Sequence, residues 1–233
     1  MTKADGQFDV TIIGYGPVGA TAALLLASRG LSVAVIERLT DLFPLPRAAI
    51  YDGEIARIFQ NLGVQQRMQQ HITPLKGAGF RTADFKVIGE DLLYPEHWVG
   101  SQGHHDAFSF HQPHLEHTLR ERAAELGVEV WLGHEAAPPT QTPGGVVVTA
   151  QPVDGGAPVT IQTRWLIAAD GAASPVREHL GIDWGSLGYD RDWLVMDLIL
   201  PDGASHNLPE IGLQVCDPER IHTYVPMAGA RRR

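Results

Sequence analysis

Three glycines and one acid are the residues of this chain most suited to chemistry. Gly14, Gly16 and Gly19 stand in G-x-G-x-x-G order, and seventeen residues, Ala20 to Ile36, separate the last of them from Glu37. The glycines follow a β-branched run, Phe8 to Ile13, and open an Ala/Leu-rich stretch that reaches about Arg29 before Gly30 stops it. Each has a physical task. Gly14 permits a tight turn, Gly16 lets a pyrophosphate approach the backbone, and Gly19 allows the helix to pack closely on the strand. The first N–H groups of that helix lack partners and its dipole is positive there, which favours an anion. A second β-rich run, Leu31 to Ile36, ends in Glu37, whose carboxylate can accept hydrogen bonds from ribose hydroxyls. An acid there suits an unphosphorylated adenosine ribose, as in FAD or NAD, and the motif alone does not choose between them.

Other reactive residues form weaker patterns. Pro44 and Pro46 keep Leu42 to Arg47 extended, so a loop ends in an arginine. Asp52 sits where an N-cap belongs, ahead of Ile55, Ile58, Phe59 and Leu62 at helical spacing and Gly63 as a stop. His104, His105, His111, His114 and His117 cluster, but no neighbouring cysteine completes a zinc set, and no metal is expected. Cys216 is the single cysteine, expected as a small buried hydrophobe. Trp165, Trp184 and Trp193 are expected in the core or an interface, since no basic groove accompanies them.

Composition narrows the classes. The chain has 233 residues, 44% hydrophobic and 19% charged, as soluble globular proteins do. A net charge of −9 without a long basic run argues against nucleic acid as a partner. Ala20 to Ala27 is far too short for a membrane span. The start lacks the pattern of a signal peptide, which with the lone cysteine points to the cytoplasm.

The elements that must position these residues follow from period and punctuation. Gln65 to Gln70 reads as a short helix, Phe80, Phe85 and Val87 as strand pieces, and Tyr94 to His105 as a loop. Phe108 to Phe110 leads into a helix with Pro113 in its first turn. Leu115, Leu119, Ala123 and Leu126 are its buried stripe, and Gly127 its stop. Val128 to Leu132 is a strand, and Thr142 to Thr163 a hairpin turning at Asp154-Gly155-Gly156. A buried strand, Trp165 to Ala169, precedes Asp170-Gly171 and a helix from about Ser174 to Leu180. From Trp193 onward, runs such as Leu194 to Leu200 and Ile221 to Met227 suggest a second, antiparallel sheet.

Four ordered segments together resemble the FAD-dependent aromatic hydroxylases, the class A flavoprotein monooxygenases, and among them the 3-(3-hydroxyphenyl)propionate hydroxylase branch. They are the glycine turn, with Pro17 inside it, and its spacing to Glu37; Leu45-Pro46-Arg47-Ala48; His111-Gln112-Pro113-His114-Leu115-Glu116; and the stretch from Leu166 to Arg177 around Asp170-Gly171. The resemblance covers about residues 8 to 180. It implies an α/β fold: a Rossmann-like FAD-binding domain (a parallel sheet with a glycine-turn helix, 1–75 and 105–182) plus part of an antiparallel β substrate domain (76–104 and 183–233). It implies FAD held by Gly14, Gly16, Pro17, Gly19, Glu37, Arg38, Arg47, Gln112, Asp170 and Gly171. Arg47 would meet the pyrophosphate, Gln112 the ribityl chain or flavin edge, and Arg38 the adenine. Asp170 could equally cap the helix after it. Asp52 would orient a phenol or take its proton, or simply cap its own helix; His222 and Tyr224 would line the substrate.

The implied reaction uses NADH or NADPH and O2 to hydroxylate a phenolic aromatic acid through a flavin C4a-hydroperoxide. A polyketide-tailoring or antibiotic-modifying monooxygenase shares these motifs. A nicotinamide-only dehydrogenase fits the Arg47 and Asp170-Gly171 segments poorly. The family's later Gly-Asp segment is not found in these residues, so the chain resembles an N-terminal portion, whose parent is the enzyme. By itself it could be an inactive nucleotide-binding remnant, and its second sheet could self-associate along an exposed edge.

Overall fold

The structure of the chain, a computed structural model, describes residues 7–188, 192–201 and 207–233. Residues 1–6, on which the expectation of no leader rests, lie outside it. The elements run β1 (Gln7–Ile13), α1 (Pro17–Ala27), β2 (Val33–Glu37), β3 (Ile50–Asp52), α2 (Gly53–Asn61), β4 (Ile72–Pro74), β5 (Gly77–Thr82) and β6 (Val87–Leu93). They continue with β7 (Ala107–Phe110), α3 (Gln112–Glu125), β8 (Glu129–Leu132), β9 (His134–Ala136), β10 (Thr140–Thr142), β11 (Gly145–Pro152) and β12 (Val159–Ala168). The last are α4 (Pro175–His179), β13 (Leu198–Ile199), β14 (Gly212–Cys216), β15 (His222–Tyr224) and β16 (Arg231–Arg232). Met1–Pro44 with Glu116–Arg191 make one compact unit, and Leu45–Leu115 with Asp192–Arg233 the other.

The first unit is a mixed sheet in the order β10-β11-β12-β1-β2-β8, with β9 also paired to β11. Strands β12, β1, β2 and β8 are parallel. A parallel sheet is covered on both faces, and its strands read as continuous apolar runs. Accordingly Val10, Ile12 and Ile13 on β1 and Val33 to Ile36 on β2 are all buried. One core groups Phe8, Ile36, Trp131, Val148, Ile161 and Val176 among others, with Phe8 meeting Trp131 edge to face at 5.8 Å. Helix α1 buries Gly19, Ala20, Ala23 and Leu24 and stops at Gly30, whose φ of +81° suits glycine.

The hairpin forms as expected, β11 against β12. Its second arm and the strand at Trp165 are, however, a single strand. β12 pairs antiparallel with β11 from Val159 to Thr163 and parallel with β1 from Gln162 to Ala168. Alternation that buries Ile161 and Thr163 breaks where β11 ends, and Trp165 is 68% exposed instead of buried. Trp184 and Trp193 are likewise 72% and 73% exposed, so none of the three tryptophans joins the core.

In the second unit β3, β7 and β4 form a small antiparallel sheet. Tyr51 anchors it, with Phe59, Phe108 and Phe110 at 5.3–5.4 Å and its hydroxyl on Gln65 Oε1 at 3.0 Å. A second sheet runs β15-β14-β5-β6, antiparallel at its two outer pairings and parallel between β14 and β5. Several local expectations are corrected here. Residues 65–70 form turns, with His71 N–H bonded to Met68 O, because one turn gains too few bonds to propagate as a helix. Phe85 is no strand residue; it turns the chain from β5 to β6 at φ +63°. Of Leu194 to Leu200 only Leu198–Ile199 is strand, with Leu200 N–H adding a bond to Ala230 O. Cys216 is exposed, because alternation on β14 gives the buried side to Leu213 and Val215.

Gly19 gives a test in which two effects oppose. Alanine in a helix is ordinarily favoured over glycine by about 0.5–1 kcal/mol. Here the added Cβ would lie 2.0 Å from Gly14 O, backbone that cannot yield cheaply. Gly19→Ala is therefore expected to destabilise by about 1–3 kcal/mol, read as a lowered urea midpoint; a raised midpoint would show that the turn relaxes.

Candidate functional site

The glycine turn lies where the parallel strands end. Gly14 N–H donates to Ile36 O at 2.8 Å, and Ala169 N–H donates to Ile13 O at 2.8 Å, so the ends of β1, β2 and β12 converge there. Gly14 has φ +98°, and a Cβ on it would fall 2.2 Å from Ala169 O. The turn thus rests against the residue before Asp170 at a distance only glycine allows. Gly16 is different: a Cβ there meets nothing within 4 Å. It is the N-cap of α1, has no side chain to offer the first turn, and precedes Pro17, which has no N–H to lose. Backbone donors, a positive helix end and open approach at Gly16 fit a pyrophosphate.

Glu37 closes the turn from the side. Its Oε2 accepts the Tyr15 N–H at 2.7 Å and its Oε1 the Leu39 N–H at 2.8 Å. Each carboxylate oxygen has a further lone pair for a ribose hydroxyl. Arg38 is exposed beside it. Asp170 performs the capping role left open above: Oδ1 accepts from Ser174 Oγ at 2.7 Å and Oδ2 from Val176 N–H at 3.1 Å. Ser174 Oγ in turn accepts the Arg177 N–H at 3.0 Å, and Gly171 turns the chain at φ +89°. Gly14, Gly16, Pro17, Gly19, Glu37, Asp170 and Gly171 are therefore one constellation at the carboxyl ends of parallel strands, where α/β sheets bind ligands.

In the second unit Arg47 and Gln112 are joined. The buried Gln112 carboxamide accepts the N–H groups of Arg47 and Ala48 on one oxygen, both at 2.8 Å. From the other side Arg233 donates to Pro46 O at 3.0 Å and Arg47 O at 3.2 Å, while pairing with Asp197 at 2.7 Å. Arg233 and Asp197 are absent from the expectations above. Arg233 appears in the sequence only as part of a basic triplet, and nothing local marks its partner. Asp52 caps α2, accepting the Ile55 N–H on Oδ1 at 2.9 Å, and is exposed. His222 and Tyr224 lie on β15, in a different sheet from Asp52; the Tyr224 hydroxyl donates to Pro209 O.

Three histidine rings line a cavity of about 190 Å³ with Met227 and Arg231. His114 meets His71 at 4.2 Å and His111 at 4.7 Å. Burial, aided by the Arg231 charge, pushes His111 from 6.5 down to about 4. Among the described residues no three His, Cys, Asp or Glu side chains are grouped as metal ligands, and no helix is long and apolar enough to cross a membrane.

Known proteins resemble this chain over nearly its whole length. The model of a family described as "FAD binding domain" matches residues 7–233. A probable NADH-specific resorcinol 4-hydroxylase of Rhodococcus jostii is 35% identical over 90% of this chain, which covers 39% of that protein. A 3-(3-hydroxy-phenyl)propionate/3-hydroxycinnamic acid hydroxylase of Comamonas testosteroni is 31% identical over 97% of the chain and 37% of its own length. The chain thus spans about two fifths of these relatives. Among solved structures, the flavin-dependent monooxygenase PieE, in complex with FAD and substrate, superposes with a TM-score of 0.77 at 24% identity, covering 98% of this chain and 42% of that one. The chain belongs to the FAD-binding domain family.

Two tests follow from the second unit. Gln112→Leu strands the Arg47 and Ala48 N–H groups, costing about 1–3 kcal/mol locally, so trypsin is expected to cut after Arg47 about tenfold faster or more. Gln112→Glu keeps an acceptor and should cut near the parental rate; equal rates for all three would show that the carboxamide does not hold the loop. For His111 the folded value lies below the unfolded one, so the neutral ring's contribution is present above pH 6.5 and is lost as pH falls toward 4. Urea midpoints at pH 7 and pH 5 should differ less in His111→Phe than in the parent; an unchanged difference would refute the assignment.

Proposed function

We propose that this chain is the FAD-binding portion of an NAD(P)H- and O2-dependent monooxygenase that hydroxylates a phenolic ring. The convergence of the Gly14–Gly19 turn, Glu37 and the Asp170 segment at one sheet end carries the reading. The names of the relatives support its substrate class. Resorcinol and 3-(3-hydroxyphenyl)propionate are both phenols substituted meta to the hydroxyl, which is the class we assign.

FAD, when bound, supplies hydride acceptance from the nicotinamide and activation of oxygen. The chain supplies position and charge. The start of α1 receives the pyrophosphate through backbone N–H groups, and Glu37 orients the ribose while holding the turn. The Arg47 guanidinium presents paired donors to phosphate oxygens, on a loop backbone that Gln112 and Arg233 hold rigid. Asp52 keeps Oδ1 on its helix cap, and Oδ2 takes the phenolic proton, enriching the ring for attack on an electrophilic oxygen.

Quenching of flavin fluorescence on adding the chain to FAD tests the cofactor assignment; saturable quenching is expected, with riboflavin, which lacks the ADP half, far weaker. Equal response to both, or none, would overturn it. The Asp52 role is tested in the protein that carries this chain, with NADH and a meta-substituted phenol. Asp52→Asn keeps the cap and is expected to lower the hydroxylation rate by about 10²-fold. Parental rate and coupling would remove Asp52 from the chemistry.

A further inference from the structure

We propose that Arg120, on α3, is a positioning residue for the phosphate-binding turn, acting through Tyr15. The inference rests on the nucleotide reading above and extends it to a residue outside every motif.

Tyr15 is the residue between Gly14 and Gly16, and it is only 2% exposed. Its N–H is taken by Glu37, and its carbonyl accepts a hydrogen bond from Arg120 Nη2 at 3.2 Å. The same guanidinium lies over the Tyr15 ring, 4.7 Å from its centroid. Burial pushes the Tyr15 phenol up to about 12 against the pull of the Arg120 cation, so the ring meeting the guanidinium is neutral. One turn earlier on α3, the Glu116 carboxylate lies 3.8 Å from Arg120 Nη2, and both side chains are largely buried. Three interactions of different kinds thus fix one guanidinium: a hydrogen bond to backbone, a cation–π contact and an ion pair.

The effect on the turn is specific. Between two glycines the chain has few conformational restraints of its own. Tyr15 is where outside atoms can seize it, and both of its backbone polar groups are seized. Pinning the Tyr15 carbonyl fixes the peptide plane that leads into Gly16, and so the direction in which the first N–H groups of α1 point. The Glu116 carboxylate balances the Arg120 charge, so the effect on the turn is one of geometry and not of added potential. Lysine could restore the charge but not the planar fork or the stacked contact.

A role in folding alone and a role in aiming the turn predict different ligand profiles. Binding of ADP and of adenosine is measured by calorimetry on the parent chain, Arg120→Met and Arg120→Lys, with thermal melts for each. The parent is expected to prefer ADP. Arg120→Met is expected to bind ADP about tenfold more weakly or worse, with adenosine changed by less than about twofold. Arg120→Lys retains its pairing with Glu116, should fold if Arg120→Met does not, and is expected to lose several-fold in ADP affinity alone. Unaltered ADP binding in the folded variants, or equal losses for ADP and adenosine, would overturn the positioning role. A parent that binds neither ligand would overturn the nucleotide reading itself, and with it this inference.

Discussion

The close approach of Gly14 to Ala169 is the constraint on which the first unit depends. With a methyl group on Gly14 the turn would lie 2.2 Å from a carbonyl oxygen, and the strand ends could not meet. Gly19 repeats the condition against Gly14 itself. Two missing side chains therefore let three separate stretches of sequence come together at one end of a sheet. The hydrogen bonds from Gly14 to Ile36 and from Ala169 to Ile13 then hold them there. Of the three turn glycines Gly16 alone faces open space, and its freedom from steric demand is of a different kind: it leaves room for something other than protein.

Capping is the second theme. Asp52, Asp170 and Ser174 all hold helix starts. For such residues, stability and ligand binding need not compete, because a carboxylate has two oxygens and several lone pairs. An acid fixed by its own helix loses little further freedom when it meets a ligand. Gln112 follows the same economy with a different fold of backbone, since one amide oxygen serves two consecutive N–H groups.

What could be read from the sequence was what local chemistry determines. The glycine turn, the acid at Glu37, the hairpin and the helix stops at Gly30, Gly63 and Gly127 are written within a few residues each, and all are found. What local pattern does not show comes from longer range. Gln112 bonds a backbone 64 and 65 residues away, and Arg120 reaches Tyr15 across 105; no periodicity announces such pairs. Trp165 looked buried because its neighbours are apolar, but exposure there depends on where β11 stops. Cys216 looked buried by residue type, whereas strand alternation decided against it. The parallel pairing of β14 with β5 likewise depends on partners far apart in the chain.

The double hydrogen bonding of Glu37 has a consequence for how such a chain can evolve. On the proposed reading, exchange of Glu37 for a neutral or basic side chain removes a partner of the FAD ribose. Here that exchange would also strip the acceptor from the Tyr15 N–H, inside the least accessible part of the turn. A single substitution would thus cost a ligand contact and loosen the glycine turn in the same event. Glu37 is therefore held in place by the fold as well as by any ligand, and its loss would need a second change near Tyr15 to be tolerated.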